Sequence, residues 1–195
     1  LCDVTARYLR RFDHISVRET SGLAILQLLG IRNAETVLDP VFLLDKEHWE
    51  SMARLPAEAE KPNLLVYDFD NSPAVRVLAE KIARERGLKI YSVFDLPYAQ
   101  RCFTLSGPQE FLGLVRQASF VLSNSFHATA FSAIFEREFA VVERTEKINT
   151  RMRDFTALLG IPERILSADS PVPSDIDWNS VHRRLDAEIA GSKAY

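Results

Sequence analysis

Short apolar runs alternate along the chain with longer stretches in which apolar and polar positions recur at helical spacing. Continuous apolar runs are typical of strands buried on both faces of a parallel sheet, and the clearest of them lies at 63–67. Amphipathic stretches that stop at a Gly are typical of helices. The pattern predicts strands at 15–17, 35–38, 63–67, 88–94, 118–123 and 138–142, and helices at 2–12, 23–29, 46–55, 73–86, 109–117, 129–135, 149–159 and 178–190.

This alternating order predicts an α/β fold, namely a Rossmann-like, doubly wound domain with a mainly parallel sheet and right-handed crossovers. The 195 residues are enough for a single domain with a full core, so 1–195 is expected to be one unit. The segment at 96–105 is predicted to be an irregular surface loop. Because the chain starts at Leu1 and reaches its first strand almost at once, we expect a domain of a longer protein, with an artefact of truncation as the alternative.

Composition excludes several classes of function. The net charge of -3 gives no electrostatic reason to expect nucleic acid or an anionic membrane as a partner. Apolar stretches are too short to span a bilayer, and no signal-peptide pattern opens the chain. Cys2 and Cys102 are far apart and favour a reducing compartment. Together these observations predict no transmembrane segment and permit a cytoplasmic setting.

The most informative polar residues lie between the strand at 118–123 and the helix that follows it. In an open parallel sheet, ligands bind beyond the carboxyl ends of the strands, and the start of a helix offers unpaired N–H groups to an anion. His127 lies at this turn and can carry a proton near neutral pH. We therefore predict a functional role for His127, with Asn124, Ser125 and Thr129 beside it as substrate-binding residues. A helix cap or a packed core histidine is the alternative.

Arg18 and Glu19 directly follow the strand at 15–17. If that strand is parallel to the strand at 118–123, both side chains lie at the same edge of the sheet as His127. The guanidinium of an arginine can bind a phosphate or a carboxylate with two hydrogen bonds. An Arg18–Glu19 surface ion pair of little energetic weight is the alternative.

A second group of polar residues surrounds the strand at 138–142. Arg144 follows that strand, and Asn149 and Arg151 open the next helix. The functional interpretation is that these residues bring positive charge and an amide to the site of His127, and a simple helix cap at Asn149 is the alternative. Asp39, which precedes a proline, is interpreted as part of a structural turn.

Known cofactor and metal motifs are missing from the sequence. There is no G-x-G-x-x-G fingerprint, which argues against a nicotinamide or flavin site, and there is no P-loop or G-x-S-x-G motif. The histidines show no zinc spacing. We therefore expect neither a bound cofactor nor a metal.

An ordered set of short motifs covers about 10–164. They are Ile15–Glu19 with Gly22, Val37–Pro40, Gly107–Pro108 with Glu110–Leu112, Asn124–Ser132, and Asn149-x-Arg151 followed by Leu158–Gly160. In these motifs the chain resembles the polysaccharide pyruvyl transferase family. Members transfer pyruvate from phosphoenolpyruvate to two hydroxyls of a sugar, which forms a cyclic ketal in bacterial cell-surface polysaccharide synthesis.

The resemblance implies a two-domain architecture like that of GT-B glycosyltransferases. The chain would be the carboxyl-terminal half, which binds the donor, and a missing N-terminal Rossmann-like half would bind the acceptor. The helix at 178–190 would pack toward that half, and the isolated chain would turn over poorly. Carried over to this sequence, His127 is the catalytic histidine and Arg18 is the catalytic arginine that holds the donor's anionic groups.

The chain departs from the family at two positions. Members commonly have Gly where this chain has Ala128, and some have Arg where it has Ser125, so Arg144 or Arg151 would have to supply that charge. Two other functions stay open. One is a glycosyltransferase of the same fold with a nucleotide-sugar donor, and the other is a non-catalytic binding module.

Overall fold

The computed structural model describes residues 2–144 and 150–195, in which strands and helices alternate. The strands are β1 (Ile15–Val17), β2 (Ala34–Thr36), β3 (Asn63–Tyr67), β4 (Lys89–Ser92), β5 (Arg101–Cys102), β6 (Phe120–Ser123), β7 (Glu138–Val142) and β8 (Ile165–Leu166). The α-helices are α1 (Cys2–Leu9), α2 (Thr20–Leu28), α3 (Lys46–Met52), α4 (Pro73–Arg86), α5 (Pro108–Gln117), α6 (Phe126–Ile134), α7 (Thr150–Leu159) and α8 (Trp178–Ala194). Short 3₁₀ helices lie at Pro40–Leu43 and Pro162–Arg164.

Six strands form the main sheet, in the order β5-β4-β3-β6-β7-β8, and every neighbouring pair is parallel. This is the strand order of a Rossmann fold, with its topological switch point between β3 and β6. The predicted Rossmann-like α/β fold is therefore confirmed. β1 and β2 form a separate parallel pair.

Both faces of the main sheet are covered, which explains why its strands are apolar throughout. Alternate residues of β6 point to opposite faces: Leu122 packs with Leu78 of α4, and Val121 belongs to the core with Phe131 of α6 and Phe155 of α7. Helices on both sides of a parallel sheet are the layers of a doubly wound domain.

The prediction of an irregular surface loop at 96–105 holds for most of the segment but misses β5 and two buried side chains. The segment contains β5, at the edge of the main sheet, and Leu96 and Phe103 are buried, with exposed fractions of 2% and 9%. A strand of two residues is too short to show alternation, so no periodicity reveals it. β8 also has only two residues, so the sequence pattern does not predict it either.

The last helix packs on the same domain. α8 extends beyond the predicted end at 190 and buries Val181 and Leu185 in the core that includes α7. Near its end, Ser192 accepts a hydrogen bond from the N–H of Leu38. α8 therefore supports the segment that follows β2, and its expected contact with a second half of the protein stays a prediction.

Candidate active site

Asp39 lies at the centre of the candidate site. It precedes the 3₁₀ helix Pro40–Leu43, and its Oδ1 accepts a hydrogen bond from the N–H of Val41 at 3.2 Å. Its Oδ2 accepts a hydrogen bond from Nη1 of Arg18 at 2.5 Å, although the side chain of Asp39 is only 3% exposed. The interpretation of Asp39 as a turn residue is correct for the cap but missed this ion pair.

Strand pairing brings Arg18 to Asp39. β1 and β2 run parallel, with Val17 opposite Thr36, and the N–H of Val37 donates to the carbonyl of Val17. The carboxyl ends of the two strands therefore lie side by side, and the residues just beyond them meet. The alternative pair of Arg18 with Glu19 is not what the structure shows, since Glu19 instead accepts a hydrogen bond from the hydroxyl of Ser21.

Two helix starts complete the group. His127 is the second residue of α6, and its Nε2 lies 3.9 Å from Oδ2 of Asp39. Arg151 is the second residue of α7, and its Nη1 lies 3.7 Å from the same oxygen. The guanidinium of Arg151 also lies 4.1 Å from the ring centre of Phe126, a cation–π contact. We call Arg18, Asp39, His127 and Arg151 the Asp39 cluster.

The Asp39 cluster carries an excess of positive charge, because two guanidiniums face one carboxylate. Burial lowers the pKa of His127; Arg151 and Arg18 lower it further, while Asp39 opposes the shift. His127 is therefore neutral near pH 7, and its half-exposed ring can accept a proton. The start of α6 adds the partial positive charge of its free N–H groups.

Two adjacent cavities, of about 650 and 340 Å³, open beside the Asp39 cluster. Arg18, Glu19 and Arg151 line both of them. The N–H and the hydroxyl of Thr20 donate to Oδ2 of Asp154, at 3.0 and 2.8 Å, and tie the start of α2 to α7. The two arginines thus face open space with room for a small anion.

The polar residues predicted around His127 are bonded within the protein. Asn124 is buried; its Nδ2 donates to Asp68 at 2.6 Å and its Oδ1 accepts from the N–H of Phe69. The hydroxyl of Thr129 donates to the carbonyl of Ser125, and both residues are buried. The side chains of Asn124 and Thr129 and the backbone of Ser125 thus shape the turn between β6 and α6. The role of all three as substrate-binding residues stays a prediction.

The remaining predicted residues lie elsewhere or outside the described part. Arg144 binds Asp70 through Nε at 2.7 Å and Nη2 at 2.8 Å, and it lies over the ring of Phe69. Asn149 is outside the described residues. Of the two arginines proposed to replace a missing family charge, Arg151 is the one that the structure places beside His127 and Arg18.

These features define a Rossmann-like α/β domain that gathers two arginines and a histidine where strands end and helices begin, which is where ligands bind in open parallel sheets. The family model described as polysaccharide pyruvyl transferase matches residues 3–146. The chain therefore belongs to this family of transferases. The match includes Arg18, Asp39 and His127 and ends before Arg151. No curated protein matches the chain closely enough to count as a relative.

Two features are absent from the residues that the structure describes. No helix in 2–144 or 150–195 has both the length and the apolar character needed to cross a bilayer. Over the same residues, no group of three or more histidine, cysteine or acidic side chains has the arrangement to hold a metal ion.

Proposed function

We propose that this chain carries the donor site of a pyruvyl transferase that uses phosphoenolpyruvate. The product is a cyclic ketal on two hydroxyls of a sugar, formed during cell-surface polysaccharide synthesis. The observation that carries the proposal is the convergence of Arg18, Arg151 and His127 on one oxygen of Asp39. Phosphoenolpyruvate is a cytoplasmic metabolite, so we propose a cytoplasmic location.

The charges of the Asp39 cluster suit this donor. Phosphoenolpyruvate carries a phosphate and a carboxylate, and each can accept paired hydrogen bonds from a guanidinium. Arg18 and Arg151 offer two guanidiniums, and each lies near Oδ2 of Asp39, which lines the smaller cavity with them. Asp39 is a positioning residue in this proposal, because it orients both arginines through one carboxylate.

The reaction needs proton transfers that His127 can assist. Two acceptor hydroxyls add to C2 of phosphoenolpyruvate, the bond from C2 to the phosphate oxygen breaks, and C3 gains a proton to become a methyl group. Of the two hydroxyl protons, one ends on C3 and the other leaves with phosphate. A neutral imidazole is suited to accept the proton of an attacking hydroxyl, so we assign His127 the role of general base, worth about 10²–10⁴-fold in rate.

A nucleotide-sugar donor is the second candidate among enzymes of this fold. It predicts that a nucleoside diphosphate binds at the start of α6. The turn after β3, where dinucleotide-binding folds hold a pyrophosphate, offers no alternative place for the diphosphate, because the carboxylate of Asp68 already occupies the N–H groups of Asp70 and Ser72. The third possibility, a binding module without catalysis, predicts that neither donor binds.

Calorimetric titration separates the three possibilities. We expect saturable binding of phosphoenolpyruvate and no binding of uridine diphosphate. Arg18→Ala should lower the affinity for phosphoenolpyruvate about tenfold or more, since a hydrogen bond to a charged group contributes about 1.5–3 kcal/mol. His127→Ala should weaken binding less, because the neutral imidazole adds no charge.

Arg183→Ala is the matched control, because Arg183 is an exposed arginine on α8. It should bind phosphoenolpyruvate as the unmodified chain does. Binding of uridine diphosphate alone would support a nucleotide-sugar donor, and binding of neither ligand would support the non-catalytic module. We also expect little pyruvylation by the chain alone, because the resemblance assigns the acceptor site mainly to the other half.

A further inference from the structure

A separate cavity of about 460 Å³ opens at the carboxyl ends of β3 and β4. Its apolar wall consists of Tyr67 at the end of β3, Phe94 after β4 and Phe111 on α5. The ring of Tyr67 lies 5.0 Å from that of Phe94 and 5.4 Å from that of Phe111, both edge to face. Packing of this kind holds the aromatic wall rigid before a ligand arrives.

Four polar groups line the same cavity and are available to a ligand. They are the carboxylate of Asp95 and the hydroxyls of Tyr67, Thr104 and Ser106. None of them has a side-chain hydrogen-bond partner among residues 2–144 and 150–195. Burial raises the pKa of Tyr67, so its phenol keeps its proton and can donate. Asp95 is exposed and can accept hydrogen bonds from a ligand hydroxyl.

The charge of the cavity argues against a phosphorylated ligand. As far as the structure describes the chain, the lining includes the acidic Asp95 and no basic side chain. The neighbouring turn after β3 is acidic as well, and Asp68 takes up its N–H groups. The lining therefore disfavours an anion, and its aromatic wall and hydroxyl groups suit a ligand that is rich in hydroxyls and apolar on one face.

We propose that this cavity binds a neutral pyranose ring and forms a subsite for the acceptor saccharide. The aromatic wall would contact the C–H face of the sugar, while Asp95 and the three hydroxyls would bind its hydroxyl groups. The link to an acceptor rests on the proposed function. It also adds to that function, because it assigns part of acceptor binding to this chain.

The position of the cavity suits such a role. Tyr67 lies opposite Ser123 in the parallel pairing of β3 with β6, and its carbonyl accepts a hydrogen bond from the N–H of Asn124. α6 begins just beyond this point, and His127 is its second residue. The cavity and the Asp39 cluster therefore open at the same edge of the sheet, on the two sides of its switch point.

Saturation-transfer NMR tests the proposal with methyl glycosides of glucose, galactose and mannose, titrated into the 195-residue chain. We expect saturable binding of at least one glycoside. Asp95→Asn should weaken it about tenfold or more, as expected for losing a hydrogen bond to a charged group. Asp95 is exposed, so this variant should fold. Asp169→Asn, which changes an exposed aspartate outside the lining of this cavity, is the matched control and should bind like the unmodified chain.

Titration of phosphoenolpyruvate into the same samples separates the two proposals. If phosphoenolpyruvate binds through Arg18 and no glycoside shows saturable binding, the proposal of a sugar subsite is wrong and the proposed function stands. If a glycoside binds through Asp95 and phosphoenolpyruvate does not, the proposed function is wrong and the saccharide cavity stands. If uridine binds and the glycosides do not, and if uridine binding also depends on Asp95, the assignment of the cavity to a pyranose is wrong.

Discussion

Two buried aspartates follow strands of this protein, and they differ in what they bind. Asp68, after β3, is 1% exposed; its oxygens accept from the N–H groups of Asp70 and Ser72 and from the amide of Asn124. Asp39, after β2, is 4% exposed, and one of its oxygens faces the cationic and imidazole side chains of the Asp39 cluster. Burial alone therefore does not separate them.

The nature of the partners indicates the role of each carboxylate. Neutral N–H donors bind both oxygens of Asp68, two from its own turn and one from Asn124, so this carboxylate holds local structure together. Oδ2 of Asp39 instead faces two arginines and an imidazole, and Arg18 and His127 remain about half exposed. A buried carboxylate that orients exposed side chains of this kind can place a guanidinium and an imidazole where they meet a ligand.

The largest effect that this comparison predicts is on stability, at Asp68. Asp68→Ala leaves two backbone N–H groups and the amide of Asn124 without their acceptor, and we expect the free energy of unfolding to fall by about 3 kcal/mol. Urea denaturation measures this. Asp70→Ala is the control in the same turn: it removes the partly exposed pair with Arg144 and should cost less than about 1 kcal/mol. Equal losses of unfolding free energy in the two variants would contradict the predicted difference between Asp68 and Asp70.

Asn124 tests whether the turn before α6 is structural or binds substrate. Asn124→Ala removes the donor to Asp68 and the acceptor for the N–H of Phe69, so we expect a loss of stability of about 1–2 kcal/mol. The affinity for phosphoenolpyruvate should stay within about twofold of the unmodified chain under conditions where the variant is folded, since both polar atoms of Asn124 are occupied. If the fully folded variant binds phosphoenolpyruvate tenfold more weakly than the unmodified chain, Asn124 is a substrate-binding residue as first predicted.

Much of the fold could be predicted because its signals are local. β3 at Asn63–Tyr67 and α4 at Pro73–Arg86 have the predicted boundaries, since a continuous apolar run marks the strand. Pro73 and Gly87 mark the ends of the helix, and Gly87 adopts the left-handed conformation, with φ of 65°, that ends a helix at low cost. The two-residue strands at the sheet edges lack such signals and were missed.

The candidate site was predictable only in part. Arg18 stands out because it directly follows a predicted strand, and His127 because it lies in the turn between a predicted strand and a predicted helix. Asp39 does not, because a single aspartate before a proline has the local pattern of any turn. Its partners lie 21, 88 and 112 positions away along the chain, as residue numbers show. Which cation a carboxylate meets at such separations depends on strand order and helix docking, which no local pattern encodes.

The smallest expected effect is on the titration of His127, and it tests the electrostatics of the Asp39 cluster most directly. The pKa of His127 lies below its usual range, because burial and the two arginines lower it more than Asp39 raises it. Removing a cation should therefore raise this pKa, and removing the carboxylate should lower it further. We expect Arg151→Gln to shift the titration to higher pH and Asp39→Asn to shift it to lower pH, as followed by NMR of the imidazole Cε1–H signal.

The essential result is that the pKa of His127 shifts in opposite directions in the two variants. A general loosening of the site would instead shift this pKa in both variants the same way, toward the value of an exposed histidine. Arg153→Gln is the matched control: Arg153 lies on the same helix as Arg151, but its guanidinium binds Glu143 and stays exposed. It should leave the titration of His127 unchanged. If the titration of His127 shifts to higher pH in both site variants, burial alone sets this pKa. Asp39 would then act only as the cap of a turn.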